Sequence, residues 1–180
     1  MSHRHIILLD MDGVIVNFID GIIKSLGLDL SHDDWATWDH HEKLGISKSA
    51  FWRATHEKDW WRSLLPYPWA SELVRELKKD YEVVYCTSPS LDSSCPSQKI
   101  EWLRDYCFMG MENAYQIGPM KCLNARSGAI LIDDYDVNVD NYRMAGGRAI
   151  TFPQAWNSAG VSEDRVGHIM KELEALRCSG

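Results

Sequence analysis

The sequence predicts an α/β fold: a Rossmann-like open parallel sheet with helices on both faces and a small helical cap inserted after the first strand. Three observations predict it. Short apolar, β-branched runs alternate with stretches of helical spacing, the pattern of strands joined in parallel through right-handed crossovers. Acidic or hydroxyl residues stand at the ends of several of those runs, where ligands of such sheets bind. One tryptophan-rich stretch, helical or irregular in pattern, breaks the alternation. A chain of 180 residues holds one substantial core and an embellishment, so residues 1–180 read as a single domain with the insertion at 18–68.

The first strand is Ile6 to Leu9. The insertion follows from Phe18 to Pro68 and carries Trp35, Trp38, Trp52, Trp60 and Trp61. A helix is expected over Trp69 to Asp80, then a strand over Glu82 to Thr87 and a helix over Pro96 to Tyr106. Ala114 to Ile117, stopped by Gly118-Pro119, is a weaker strand candidate. Ala129 to Asp133 is a strand, Asp136 to Ala145 a helix, and Arg148 to Phe152 a strand. The last helix is expected from about Ser162 to Leu176, with Ser162-Glu163-Asp164 as cap and acidic first turn.

Composition bounds the function. Hydrophobic residues make up 45% of the chain and charged residues 25%, and no apolar run approaches the length of a membrane span. Met1 to His5 leads into an apolar run too short for a secretory segment, so export is not expected. Five cysteines, widely spaced and without a C-x-x-C pair, suggest neither a disulfide framework nor a zinc site, and point to a reducing cytoplasm. The net charge of −7 argues against broad adhesion to long nucleic acids but permits a small anionic substrate beside a metal ion and well-placed lysines.

The candidate chemistry sits at the strand ends. Asp10-Met11-Asp12-Gly13-Val14 closes the first strand with two carboxylates and a glycine suited to a tight turn. Cys86-Thr87-Ser88-Pro89 closes the second with hydroxyls, Ile132-Asp133-Asp134 brings another acidic pair, and Lys121 lies ahead of that strand. Taken singly, each is an ordinary turn former, cap or surface charge. Together they would crowd like charge at one edge, a cost that a cation removes. Oxygen ligands from Asp10 and the Asp133-Asp134 pair suit Mg²⁺, while Thr87 and Lys121 suit phosphate oxygens.

The motifs Asp10-Met11-Asp12-Gly13-Val14-Ile15, Thr87-Ser88, Lys121 and Asp133-Asp134 resemble, in order, the four motifs of the haloacid dehalogenase superfamily of phosphohydrolases. Thr87-Ser88-Pro89, Cys95-Pro96, Lys99, Trp102 and Phe18 further resemble the 5'(3')-deoxyribonucleotidase family. The resemblance implies that Asp10 attacks phosphorus to form an aspartyl-phosphate and that Asp12 serves as general acid and then base. It implies Mg²⁺ on Asp10, the backbone carbonyl of Asp12 and the Asp133-Asp134 pair, with Asp134 favoured as the direct ligand. A nucleoside 5'-monophosphate is the leading substrate, with another small phosphomonoester or a polynucleotide end as the alternative, and a catalytically silent binding domain as a reading of a different class.

Specificity is expected from the insertion. Phe18 and Trp38 are the candidates for stacking on a base, whereas Trp35, Trp52, Trp60 and Trp61 are expected mainly to pack the insertion. Ser88 and Lys99 are further candidate contacts to phosphate or sugar, with an exposed helical lysine as the plainer reading of Lys99. His32, His40, His41 and His56 lack metal spacing, and Asp39-His40-His41 reads as a polar loop rather than a zinc site.

Overall fold

The structure is a computed structural model that describes residues 5–110 and 114–178. The opening residues Met1 to Arg4 of the sequence reading lie outside the described residues. Five strands form one parallel sheet in the order β3-β2-β1-β4-β5, where β1 is Ile6–Leu9, β2 Glu82–Thr87, β3 Tyr115–Ile117, β4 Ala129–Asp133 and β5 Arg148–Thr151. β1 is central: Leu9 lies opposite Tyr85 of β2 on one side and Ile132 of β4 on the other. The carboxyl ends of β1, β2 and β4 are therefore neighbours. The chain builds outward from β1 to β2 and β3, then returns to β4 on its other side, which puts a topological switch point beside Asp10.

The alternation of side chains along the strands separates two cores. Ile7, Leu9, Val83, Tyr85, Ile130, Ile132 and Ile150 face the larger one. It is closed by helices α5 (Ala70–Asp80), α6 (Cys95–Asp105) and α8 (Arg165–Cys178) through Leu73, Leu77, Trp102, Leu103, Ile169 and Leu173. Leu8, Cys86, Leu131 and Ala149 face the smaller core, closed by Val139 and Tyr142 of α7 (Asp136–Met144). Burying each such aliphatic side chain contributes about 1.5–3 kcal/mol before entropy is counted. Helices thus cover both faces, and the strands read as continuous apolar runs because neither face meets water.

Between β1 and α5 lie α1 (Phe18–Ser25), a 3₁₀ turn (His32–Asp34), α2 (His40–Lys43), α3 (Lys48–Arg53) and α4 (Trp60–Ser63). The neck of this segment is an isolated antiparallel bridge between Val16 and Pro66, with Asn17 N–H donating to Leu65 O at 2.9 Å and Tyr67 N–H to Ile15 O at 3.0 Å. Trp35, Trp60 and Trp61 are buried and Trp52 is partly buried against the same core. Phe18 is their hub, with ring centroids 5.7 Å from both Trp60 and Trp61 and 6.2 Å from Phe51.

Two boundaries differ from the sequence reading for local reasons. The last helix starts at Arg165 because Asp164, not Ser162, caps it, accepting from Gly167 N–H at 2.8 Å. The weak strand is the short edge strand Tyr115–Ile117, held to the sheet by β2 alone. The histidine pair also departs from expectation: His40 and His41 open helix α2, and His41 is buried instead of lying in a polar loop. Among the described residues no helix is long and apolar enough to cross a membrane.

Candidate active site

The carboxyl ends of the central strands open into a cleft of about 280 Å³. Asp10, Asp12, Lys121, Asp134 and Asn138 line its floor, Ser88, Pro89 and Pro119 one side, and Phe18, Trp38, Trp52, Trp61 and Tyr135 the aromatic remainder. Residues from four separated stretches of sequence therefore meet in one place. Trp52 and Trp61, read from the sequence as packing residues, contribute to the lining as well.

The backbone presents Asp10 directly from the sheet, since its N–H donates to Ile132 O at 2.9 Å and extends the β1–β4 ladder by one residue. The chain then turns sharply around Met11 O, which accepts from Val14, Ile15 and Val16 N–H at 2.8–3.2 Å. Gly13 sits in this turn at φ 77°. A Cβ at Gly13 would overlap the Asp134 carboxylate, so glycine is required both for conformation and for close approach. Gln154, fully buried, donates from Nε2 to Gly13 O at 2.5 Å and anchors the turn from the far end of the chain.

Two lysines organise the carboxylates. Lys121, buried on a 3₁₀ turn (Lys121–Asn124), places Nζ 2.7 Å from Asp10 Oδ1 and 2.6 Å from Asp133 Oδ2. Lys99 is only 2% exposed, which removes its reading as a surface lysine. Its Nζ donates to Asp12 Oδ2 at 2.5 Å, Thr87 Oγ1 at 2.8 Å and Ser88 O at 2.9 Å, and lies 4.9 Å from the Trp61 ring centroid. Ser88 lines the cleft beside it.

Asp133 and Asp134 occupy different settings. Asp133 is saturated: besides Lys121 it accepts from Tyr135 N–H at 3.0 Å and from Asn138 Nδ2 at 3.1 Å. Asp134 accepts from Trp156 Nε1 at 2.7 Å through Oδ2, while its Oδ1 is buried without a partner among the described residues. Asp12 Oδ1 is likewise unpartnered. Tyr135, Asn138, Gln154 and Trp156 escaped the sequence reading; only the Asp133-Asp134 motif next to Tyr135 hinted at any of them.

The electrostatics are those of a cation site. Burial, and then the neighbouring Asp133 carboxylate, push the Asp10 carboxyl up to about 7 despite Lys121. Burial, and then Asp10 and Asp133, hold Asp134 well above the ordinary carboxylate range. Oxygen atoms of Asp10, Asp133 and Asp134 lie within 4.8 Å of one another. A hard, all-oxygen donor set with an orphaned buried carboxylate oxygen fits a hard divalent cation such as Mg²⁺.

Comparisons with known proteins bear on the family and the fold. Residues 4–176 match the family described as 5' nucleotidase, deoxy (pyrimidine), cytosolic type C protein. Over 144 residues the chain is 28% identical to the mitochondrial 5'(3')-deoxyribonucleotidase of Homo sapiens, a match covering 71% of this chain and 61% of that protein. The chain thus spans about three-fifths of that relative's length. A haloacid dehalogenase-like hydrolase from Xanthomonas campestris shares the fold at a TM-score of 0.61 and 15% identity, with 98% of this chain and 93% of that one covered. The HAD-hydrolase YfnB from Bacillus subtilis, bound to magnesium, aligns at a TM-score of 0.51 and 10% identity over 84% of this chain and 87% of that one. With the family match extending from the first strand to the last helix, the chain belongs to the deoxy (pyrimidine), cytosolic type C 5' nucleotidase family.

Proposed function

We propose that the chain is a Mg²⁺-dependent phosphomonoester hydrolase that works through an aspartyl-phosphate on Asp10, with nucleoside 5'-monophosphates, deoxyribonucleotides foremost, as substrates. One observation carries the reading: Asp10, Asp12, Lys121 and Asp134 share a single cleft with an aromatic wall of Phe18, Trp38, Trp52, Trp61 and Tyr135. The family match and the deoxyribonucleotidase relative support the nucleotide. The buried acidic cluster, and magnesium bound to YfnB in the same fold, support the ion.

In this proposal an Asp10 carboxylate oxygen attacks phosphorus and the bond to the ester oxygen breaks. Asp12 delivers a proton to the departing alkoxide, then takes one from the water that attacks the aspartyl-phosphate, releasing phosphate and restoring Asp10. Lys121 holds Asp10 in place and offsets its charge. Thr87, Ser88 and Lys99 receive the phosphate oxygens, which compete with Asp12 for the Lys99 ammonium. Asp10, Asp134 and the Asp12 carbonyl hold the ion, with Asp133 behind them fixing Lys121. When bound, Mg²⁺ supplies charge neutralisation for the phosphoryl group.

Phe18 and Trp38 have different parts. Phe18 is buried among Trp60, Trp61 and Phe51 and shapes the wall. Trp38 is only partly buried, has its ring centroid 4.9 Å from that of Tyr135, and is the better platform for a base. Residues 18–68 act as the cap that covers the reacting phosphate and chooses its carrier. The description of the matched family as cytosolic supports the compartment, and we place the protein in the cytoplasm.

Phosphate release from nucleoside monophosphates, sugar phosphates and a 3'-phosphorylated oligonucleotide, with Mg²⁺ and with chelator, tests the proposal. Preferential hydrolysis of nucleotides, abolished by chelator, is expected. A flat profile would reject the nucleotide, and activity in excess chelator would reject the ion.

A further inference from the structure

Helix α2 carries a second group of metal-ligand type, remote in chemistry from the all-oxygen cluster of the cleft. Asp39, His41 and Glu42 each offer one ligand atom, and these atoms lie within 4.8 Å of one another. Asp39 and Glu42 are exposed, whereas His41 is 3% exposed. Asp39 occupies the N-cap position of α2, yet its side chain makes no capping hydrogen bond. The carboxylate stays available.

His41 is the telling residue. Neither Nδ1 nor Nε2 of its ring has a hydrogen-bond partner among the described residues. A neutral imidazole carries one donor and one acceptor, and leaving both unsatisfied out of water is unfavourable. The adjacent His40 shows the ordinary solution, accepting from Ala36 N–H at 3.2 Å through Nδ1. The His41 ring instead packs on Phe51 with centroids 4.6 Å apart, which fixes its plane without satisfying its nitrogens. A cation shared with two carboxylates would satisfy one of them.

We propose that Asp39, His41 and Glu42 form a second metal site, which takes a borderline transition ion such as Zn²⁺ or Co²⁺ in preference to Mg²⁺. An imidazole donor selects these ions over Mg²⁺, which favours an oxygen-only set. Two carboxylates, one imidazole and water from the exposed side complete four-coordination. Such an ion ties the start of α2 to the insertion core. Trp38, the residue before Asp39, lines the cleft, and Phe51 under His41 packs on Phe18, so occupancy stiffens the aromatic wall.

The test uses the full chain carrying Asp10→Asn and Asp134→Asn, so that the oxygen cluster no longer competes, and titrates it with Co²⁺ by calorimetry and by proton NMR. One Co²⁺ per chain with paramagnetically shifted imidazole resonances is expected, and excess Mg²⁺ should not displace it. Adding Asp39→Asn and Glu42→Gln, both at exposed positions, should weaken binding at least tenfold and abolish the shifted resonances. His41→Gln should do the same; should that variant fail to fold, the exposed pair decides alone. Absence of Co²⁺ binding in the starting variant, or affinity within a few-fold of it after the exposed pair is changed, overturns the proposal.

Discussion

Stripped of divalent cations, the protein should lose stability as pH rises from about 4 through 7, and Mg²⁺ should cancel the loss. The reason is the displaced titration of Asp10, from 3.8 to about 7. Between those values the folded state holds a proton that the unfolded chain has released, so each pH unit lowers unfolding free energy by about 1.36 kcal/mol. Taken alone Asp10 contributes about 4 kcal/mol over the window, and Asp134 is displaced in the same direction. The two titrate together and in the same direction, so at least about 4 kcal/mol is expected for the metal-free cluster. At roughly 2–4 °C per kcal/mol for a domain of this size, the unfolding midpoint falls by about 8–16 °C or more. Carboxylates with lowered values, such as Asp34, Glu76 and Asp105, act in the opposite sense near and below pH 4. Subtracting the curve of Asp10→Asn, which retains those groups and Asp134, isolates the contribution of Asp10 and its coupling to its neighbours. The assay is thermal unfolding followed by circular dichroism across this range, metal-free and with Mg²⁺. A metal-free difference curve that is flat or rises with pH would refute the reasoning, as would one that Mg²⁺ leaves unchanged.

Asp10→Asn should abolish turnover while preserving the fold, and its metal-free form at pH 8 should unfold at or above the parent's midpoint because one buried negative charge has gone; phosphate release and circular dichroism check both, and normal hydrolysis would remove Asp10 as nucleophile. Gly13→Ala should cost about 1–2 kcal/mol for its left-handed backbone, and more for pushing aside the Asp134 carboxylate, so that the Mg²⁺-induced rise in midpoint disappears. An unchanged Mg²⁺ response in that variant would show that Asp134 is not a ligand. Trp38→Ala should lower kcat/KM for a nucleotide by about 5–150-fold, the equivalent of about 1–3 kcal/mol of lost stacking. Its effect on a generic aryl phosphate should stay within about twofold, and equal losses on the two substrates would assign the ring to packing with Tyr135.

Much of this site was legible because strand ends are legible. Asp10, Thr87 and Asp133 each terminate an apolar run, and a parallel sheet brings such termini to one edge whatever lies between them. Glycine after Asp12 announced the turn. What could not be read were partners set by packing across long separations in sequence. Lys99 looks like any helical lysine until α6 turns it inward against Asp12, 87 residues away. Trp156 and Gln154 lie in an irregular segment with no periodicity, yet one holds Asp134 and the other holds the Gly13 turn. The two members of the Asp133-Asp134 pair, equivalent by composition, part company because Lys121, Asn138 and the Tyr135 amide saturate the first and leave an oxygen of the second bare.

By itself the sequence determined the α/β architecture, the strand that starts it and the residue types gathered at the strand ends. These follow from local periodicity and from the handedness of parallel crossovers. Only the tertiary structure decided which carboxylates are neutralised by lysines and which keep an unpartnered oxygen, which tryptophans line the cleft, and that His41 is buried with neither nitrogen partnered among the described residues. Those outcomes depend on desolvation and on side chains meeting from distant parts of the chain, and neither is encoded in any short window of residues.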